Sequence, residues 1–317
     1  MNMDNYTRIK KIRQQNICLF KDYSFNCEEN GKTAKNHLIS KANYLKRISN
    51  QDRVLVFDFE NRDYSKRNRE LTERNIKKAN TFNVFCSKHD DYLFNEIENG
   101  NKFDETNKKQ LFQFAFRALV FSYSEQDLKD NFDKIVTNSL NKIGEAHLHN
   151  TEKIFKKYRF LIEINNWDSV ETEIIKLNKK CEFISCWSGN LNIGINGLFR
   201  LSPSKISINI FPNENETVIL LSYLKDDVFF ADKLFCQRLK KLATTNEKKF
   251  ITYIEKLAVA FDHNIALSPV YWSKCDEISK STFYEIAHIF PKVKNLKDGL
   301  LGILKLKKLK LKLNLIH

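Results

Sequence analysis

The chain has 317 residues, of which 42% are hydrophobic and 12% aromatic, a composition typical of globular proteins that excludes a disordered chain. It contains no run of about eighteen apolar residues, and its first residues lack the apolar core of a signal peptide, so we expect a soluble, cytoplasmic protein. Seven cysteines is an odd number, which favours free thiols and metal ligands over disulfides.

The net charge of +14 is concentrated at the two ends of the chain. Lys and Arg exceed Asp and Glu by 8 in residues 1–80 and by 7 in residues 291–317, whereas the remainder is close to neutral. Basic segments attract phosphate and give salt-dependent affinity for nucleic acid. The charge therefore predicts a nucleic-acid partner, with a solvated lysine-rich surface as the alternative.

The first half of the chain contains a predicted strand, a charged segment and two predicted helices. The apolar run "VLVFDF" (54–59) predicts a strand, and residues 61–80 are highly charged, as in an exposed loop or a solvent-facing helix. Residues 111–143 carry apolar side chains at helical spacing. Residues 149–164 predict a second helix, with Thr151 or Asn150 as its N-terminal cap.

The second half changes to strands and then returns to helical periodicity. Residues 181–189 and 206–224 are rich in β-forming residues, and "PNEN" in the latter predicts a hairpin turn. Residues 268–290 predict a helix that opens at a proline. We therefore expect an α+β fold in three parts, which are a small zinc-pinned module (1–105), a helical connector (106–166) and a mixed α+β domain with a basic C-terminal tail (167–317).

Four residues in the first 100 have the chemistry of a structural zinc site. The segment "CSKH" places Cys86 three residues before His89, and Cys18 and Cys27 are the other cysteines before residue 181. Thiolate and imidazole ligands in a Cys₃His set suit tetrahedral zinc. The alternative is that Cys18 and Cys27 are ordinary buried thiols.

The segment between these ligands resembles the HNH (His-Me finger, ββα-metal) endonuclease superfamily. In "NHLIS", His37 follows a short polar residue and precedes an aliphatic pair, and "CSKHD" is similar to the family's closing Cys-x-x-Cys-His motif. The resemblance implies that His37 is the general base and that Asn36 and Asp90 hold a divalent metal, Mg²⁺, against the scissile phosphate. It also implies that Cys86 belongs to the zinc site.

The resemblance further implies an asparagine that orients the base. Asn83 or Asn80 in "ANTFNVFC" would take this role. An imidazole of near-neutral pKa can accept the proton of a water, and Mg²⁺ can stabilise the charge that develops on the phosphate.

Other candidate residues leave alternatives open. His147 and His149 form a metal pair only on a strand, whereas helical flanks favour an exposed or capping role. Arg117 interrupts an apolar helix and would either form an ion pair or bind phosphate. The tail at 300–317 is basic and amphipathic, as in segments that bind nucleic acid or anionic membranes, and such tails also occur without a function.

Two functional hypotheses follow from the sequence. The first is a metal-dependent, HNH-like endonuclease, a fusion whose architecture resembles that of nucleases in bacterial defence or mobile elements. The second is a non-catalytic, zinc-stabilised protein that binds nucleic acid or protein and regulates it. The presence of Asn36 where the family usually has Asp or His favours the second.

Overall fold

The computed structural model describes residues 18–21, 27, 32–57, 70–137, 142–189, 205–228, 230–261, 265–287 and 315–317. The strands are β1 (Asn36–His37), β2 (Arg53–Phe57), β3 (Leu71–Asn75), β4 (Thr81–Phe82), β5 (Val170–Leu177), β6 (Phe183–Gly189), β7 (Ile206–Asn213), β8 (Glu216–Leu224) and β9 (Ala266–Leu267). The α-helices are α1 (Lys46–Ile48), α2 (Ser87–Phe94), α3 (Lys108–Thr137), α4 (Lys142–Glu163), α5 (Phe230–Thr245), α6 (Glu247–Phe261), α7 (Pro269–Lys274) and α8 (Glu277–Ala287). The expected α+β class is therefore confirmed.

Seven of the strands form one antiparallel sheet in the order β3-β2-β9-β6-β7-β8-β5. Strands β2 and β3 come from the first 105 residues, and β9 joins them to the strands of the second half. The boundaries expected near residues 105 and 166 therefore do not separate the strands of this sheet.

The sheet is buried on both faces, which explains the continuous apolar runs of its central strands. Along β8, Val218 and Leu220 pack on the face covered by α3, while Ile219 and Leu221 pack on the face covered by α5, α6 and α8. On the α3 face, Ser207 Oγ donates a hydrogen bond of 2.9 Å to a backbone carbonyl of that helix. The α3 face is shared with the N-terminal residues, so one core connects them to the sheet.

Strands β1 and β4 form a separate antiparallel pair, in which Asn36 lies opposite Phe82 and His37 opposite Thr81. Asn80 ends the preceding turn with a positive φ of 51° and accepts a backbone hydrogen bond from Leu38. Asparagine tolerates this left-handed conformation better than most residues. Helix α2 begins soon after β4, so the local order is strand, strand, helix.

Several sequence expectations differ from the structure in detail. Residues 71–75 form strand β3 rather than a loop or helix, because an edge strand with half-exposed residues tolerates polar side chains. Helix α4 begins at Lys142, so Thr151 lies inside it and is no cap; packing outweighs the small propensity cost of a threonine. The helix expected at 268–290 is divided into α7 and α8, and Asp276 Oδ1 accepts a capping hydrogen bond from Ser279.

The hairpin expected at 206–224 is confirmed as β7 and β8, whose register closes at Asn213 opposite Glu216. The residues of the charged segment at 61–69 and of the tail at 300–314 lie outside the described part of the chain. Among the residues that the structure describes, no helix combines the length and the apolar character needed to cross a membrane.

Candidate metal centre and adjoining pocket

The four predicted zinc ligands converge at the base of the β1–β4–α2 unit. The Sγ atoms of Cys18, Cys27 and Cys86 lie 3.3, 3.4 and 3.2 Å from His89 Nδ1. All four ligand atoms lie within 4.8 Å of one another. This group, the Cys₃His cluster, can hold a metal ion.

Local structure explains the convergence. Cys86 precedes the first residue of α2 and His89 lies in its first turn, and residues three apart on a helix share a face. Leu19 donates a backbone hydrogen bond of 2.9 Å to Val84, which brings the turn that contains Cys18 beside the start of α2. A main-chain hydrogen bond thus brings together ligands that are far apart in the sequence.

The sulfur–nitrogen distances are close to those around a tetrahedral zinc ion. Zn–S bonds near 2.3 Å and Zn–N bonds near 2.0 Å would separate sulfur from nitrogen by roughly 3.5 Å and sulfur from sulfur by roughly 3.8 Å. The observed sulfur–nitrogen separations of 3.2–3.4 Å are within a few tenths of an ångström of that value. Burial raises the pKa of the Cys18 thiol to about 12, so a nearby cation is what would favour its thiolate form.

Beside the cluster lies a pocket that contains three of the predicted site residues. Asn36 and His37 reach it from β1, and Asp90 reaches it from α2. Arg117 of α3 completes the polar lining, and the remaining residues are apolar. The pocket is narrow and partly open to solvent. We refer to it as the His37 pocket.

The His37 ring is half-buried and is held by a backbone carbonyl. His37 Nε2 lies 3.2 Å from the oxygen of Ile76, the first residue of the turn between β3 and β4. A carbonyl can only accept, so this contact requires the proton on Nε2 and leaves Nδ1 with its lone pair. Burial lowers the pKa of His37, although the Ile76 carbonyl and the charge of Glu98 oppose the shift. The imidazole is therefore neutral near pH 7, the form that a general base requires.

Asp90 presents an oxygen without a partner. Its Oδ1 is buried and makes no hydrogen bond to any described residue. Burial raises the pKa of this carboxyl to about 6, while the positive charge of Arg117 and the Asn36 amide lower it. An unpartnered buried oxygen requires a ligand, a water or a cation to compensate its desolvation.

Asn36 has a role that differs from the expected one. Its Oδ1 accepts hydrogen bonds of 3.0 and 2.8 Å from the backbone N–H groups of Val84 and Phe85. This oxygen ties β1 to the segment that leads into Cys86, and it already accepts two hydrogen bonds. The Asn36 amide is buried beside the Asp90 carboxyl, and its hydrogen bond to that group lowers the pKa of Asp90.

The two candidates for the orienting asparagine lie outside the lining of the His37 pocket. Asn83 is exposed, and the backbone of Asn80 accepts a hydrogen bond from Leu38 in the turn before β4. The Ile76 carbonyl holds the imidazole instead. Backbone carbonyls leave no residue-type signal, so the sequence could not have identified this contact.

Arg117 is the pocket residue for which the sequence allows two roles, an ion pair or the binding of phosphate. Its side chain is 6% exposed, its Nη1 forms an ion pair with Glu98, and its guanidinium lies 4.1 Å from the centre of the Phe94 ring. Its Nε and Nη2 atoms are buried and have no hydrogen-bond partner among the described residues. The expected ion pair is present, and two N–H groups of the same guanidinium remain unused.

The other candidates do not join a site in the described structure. His149 is exposed on α4, as the alternative of an exposed role predicts. The side chain of His147 lies outside the described part of the chain. The remaining cysteines, Cys181, Cys186, Cys236 and Cys275, are buried or half-buried and are not part of the Cys₃His cluster.

Comparison with known proteins finds no matching family model, no matching curated protein and no matching solved structure. The Cys₃His cluster and the His37 pocket are the features of the described structure that bear on function.

Proposed function

We propose that this protein is a zinc-stabilised, metal-dependent phosphodiester hydrolase of HNH-like architecture that acts on nucleic acid. One observation carries the proposal. The β1–β4 pair followed by α2 brings His37 and Asp90 to one pocket directly beside the Cys₃His cluster. The strand–strand–helix order and the adjoining cluster are the arrangement that the resemblance to the HNH superfamily implies.

The four ligands support zinc as the structural metal. Three thiolates and one imidazole at tetrahedral distances leave no position for a water, as in structural rather than catalytic zinc sites. Zinc would thus connect the Cys18 turn to α2. It would hold Asp90, the residue that follows His89, in a fixed orientation.

His37 would act as the general base. Its Nδ1 would accept the proton of a water, and the Ile76 carbonyl would keep the ring oriented as positive charge develops on it. Asp90 is the residue that would hold Mg²⁺, since its Oδ1 is unpartnered and one carboxylate suffices when waters and phosphate oxygens complete the shell. Mg²⁺ would supply stabilisation of the negative charge that develops on the phosphate.

The charge of the chain supports nucleic acid as the partner. The net charge is +14, and 18 of the 53 Lys and Arg residues lie in residues 1–80, the part of the chain that contains His37 and two of the ligands, Cys18 and Cys27. Binding of this kind weakens as salt rises, with a slope of roughly −0.9 in log K against log salt for each phosphate contacted on duplex DNA. Binding that does not change between low and moderate salt would contradict this partner.

The test of catalysis is the variant His37→Ala, assayed on single- and double-stranded DNA and RNA with Mg²⁺. It should abolish cleavage while zinc content and thermal unfolding stay unchanged, because His37 is outside the Cys₃His cluster. The matched control is His149→Ala, which removes an exposed histidine of α4. Cleavage by His37→Ala at the wild-type rate would overturn the assignment of the base.

A second function is that of a non-catalytic, zinc-stabilised binding protein. The hydrogen bonds that Asn36 Oδ1 accepts from the backbone favour it. With Asn36 Oδ1 occupied by Val84 and Phe85, the His37 pocket offers a divalent ion one protein carboxylate rather than two ligands. This function predicts salt-dependent binding of nucleic acid without cleavage in either the wild type or the His37 variant.

A further inference from the structure

Arg117 is the one charged side chain in the lining of the His37 pocket that is more than nine-tenths buried. Glu98 neutralises its charge from one side through Nη1, and Phe94 covers the flat face of the guanidinium. These contacts fix the group in place and leave Nε and Nη2 without a described partner. Two adjacent N–H groups of one guanidinium form the fork that binds two oxygens of a phosphate or carboxylate.

Two hydrogen-bond donors of the pocket, Nε and Nη2 of Arg117, have no partner among the described residues. The Asn36 amide is engaged by the Asp90 carboxyl. A pocket prepared for a cation alone would present oxygens, whereas a guanidinium fork beside one carboxylate suits an anion bound next to a cation. Buried donors without partners are costly, so a bound group that accepts their hydrogen bonds would be strongly preferred.

We propose that the Nε and Nη2 groups of Arg117 form an anion subsite that binds the non-bridging oxygens of a phosphate group beside His37. Arg117 would then be the substrate-phosphate ligand of the hydrolase, a role distinct from its ion pair with Glu98. The inference rests on the proposed function, since it takes the bound anion to be the phosphodiester that His37 prepares for attack. Arg117 also lines a second, largely apolar pocket, but His37 and Asp90 are in the first.

The probe is inorganic phosphate, titrated into full-length, zinc-loaded protein without Mg²⁺ and followed by ³¹P NMR. All variants are made in protein that carries His37→Ala. Cleavage therefore cannot complicate the measurement when a nucleic acid is used afterwards. Arg117→Lys keeps the positive charge but loses the fork, and it should weaken phosphate binding about tenfold to a hundredfold, the range of a charge-assisted hydrogen bond. Arg238→Lys, an exposed substitution on α5, is the matched control and should leave binding unchanged.

A second variant separates binding from folding. Arg117→Gln alone would leave Glu98 without its partner, so Arg117→Gln is combined with Glu98→Gln, which removes both charges of the pair. The double variant should fold, as judged by zinc content and thermal unfolding, and should show the same loss of phosphate binding. Phosphate binding that is absent from the parent, or equal in the parent and both Arg117 variants, would overturn the anion subsite.

The outcomes for this subsite and for the hydrolase can be told apart. If phosphate binding depends on Arg117 but no nucleic acid is cleaved with Mg²⁺, the subsite stands and the hydrolase fails. If cleavage depends on His37 but is unaffected by Arg117→Lys, the hydrolase stands and the subsite fails. In the wild-type background, loss of the subsite should raise KM and leave kcat nearly unchanged, since the phosphate is held in both the ground state and the transition state.

Discussion

The two halves of the molecule are held together by different means. The N-terminal unit of β1, β4, α2 and the Cys₃His cluster, which we call the ligand module, has strands of two residues and depends on four side chains that converge within 4.8 Å. The face of the large sheet covered by α5, α6 and α8, which we call the sheet core, depends on apolar burial along strands of seven to nine residues. A short unit with polar groups at its centre requires a metal or a network, whereas a broad apolar sheet does not.

The largest effect should follow loss of the metal from the ligand module. Cys86→Ser removes one thiolate, and structural zinc contributes roughly 10–16 kcal/mol to folding in zinc-finger peptides, so β1, β4 and α2 should lose their order. Elemental analysis should show less than one zinc per chain, and hydrogen exchange should accelerate in the ligand module while the sheet core stays protected.

The matched control for that experiment is Cys236→Ala, which removes a fully buried thiol from the sheet core. It should leave one zinc per chain and should alter stability by about 1–2 kcal/mol through lost packing. Equal zinc content in the wild type and the Cys86 variant would mean that the four residues do not form the site.

A cavity in the sheet core should lower the stability of the protein without affecting its zinc content. Phe250 of α6 is fully buried, and Phe250→Ala should lower the free energy of unfolding by about 3–5 kcal/mol without any loss of zinc. Urea unfolding together with elemental analysis measures both quantities. Phe160→Ala on α4, where the side chain is 55% exposed, is the control and should change stability by less than about 0.5 kcal/mol.

The sequence predicts those features of the structure that depend on the chemistry of particular residues or on a local residue pattern. The Cys₃His set was recognisable because few residue types bind zinc and all four lie before residue 90. The β7–β8 hairpin was recognisable because turn residues interrupt two apolar runs. In both cases the identity of a few residues carries most of the information.

The parts that sequence reasoning missed depend on long-range pairing. The two residues of β9 pair with both β2 and β6, and nothing in the residues Ala266 and Leu267 alone specifies such partners. Strands from residues 1–105 and from residues 167–317 therefore belong to one sheet. Likewise, no feature of the sequence indicates that the Asn36 oxygen is used by backbone groups almost fifty residues away.

The link through Asn36 provides the next test of the ligand module. Asn36→Ala would leave the N–H groups of Val84 and Phe85 without their acceptor, at a cost of roughly 2–4 kcal/mol for two groups. Asn36→Asp keeps an acceptor oxygen, so the loss should be smaller, although a second carboxylate would then lie near Asp90. Thermal unfolding of the two variants measures the difference, and an Ala variant as stable as the wild type would remove the structural role.

The smallest effect concerns a buried polar group in the sheet core, the carboxyl of Glu255. Its Oε1 accepts a hydrogen bond of 2.9 Å from the backbone of Ile316, and Ile316 also pairs with Cys181, so the carboxyl holds the C-terminal residues against the sheet. Burial raises the pKa of Glu255 to about 8, while the backbone hydrogen bonds of Leu315 and Ile316 oppose the shift. Cys181 and Tyr271 are nearby titratable groups, and burial is the main cause that raises the pKa of both.

The sign of the pH dependence follows from this shift. The folded-state pKa is above the unfolded value, so the native state binds the proton more tightly between about pH 4.5 and pH 8 and stability falls as pH rises through that range. At about 1.4 kcal/mol for each pH unit, the loss between pH 6 and pH 8 is roughly 2 kcal/mol. Glu255→Gln stays neutral and still accepts the hydrogen bond, so its unfolding free energy should lack this fall, whereas Glu277→Gln, an exposed change on α8, should keep it. Urea unfolding at pH 6, 7 and 8 compares the three proteins, and parallel curves for wild type and Glu255→Gln would show that the sheet core contains no titrating carboxyl.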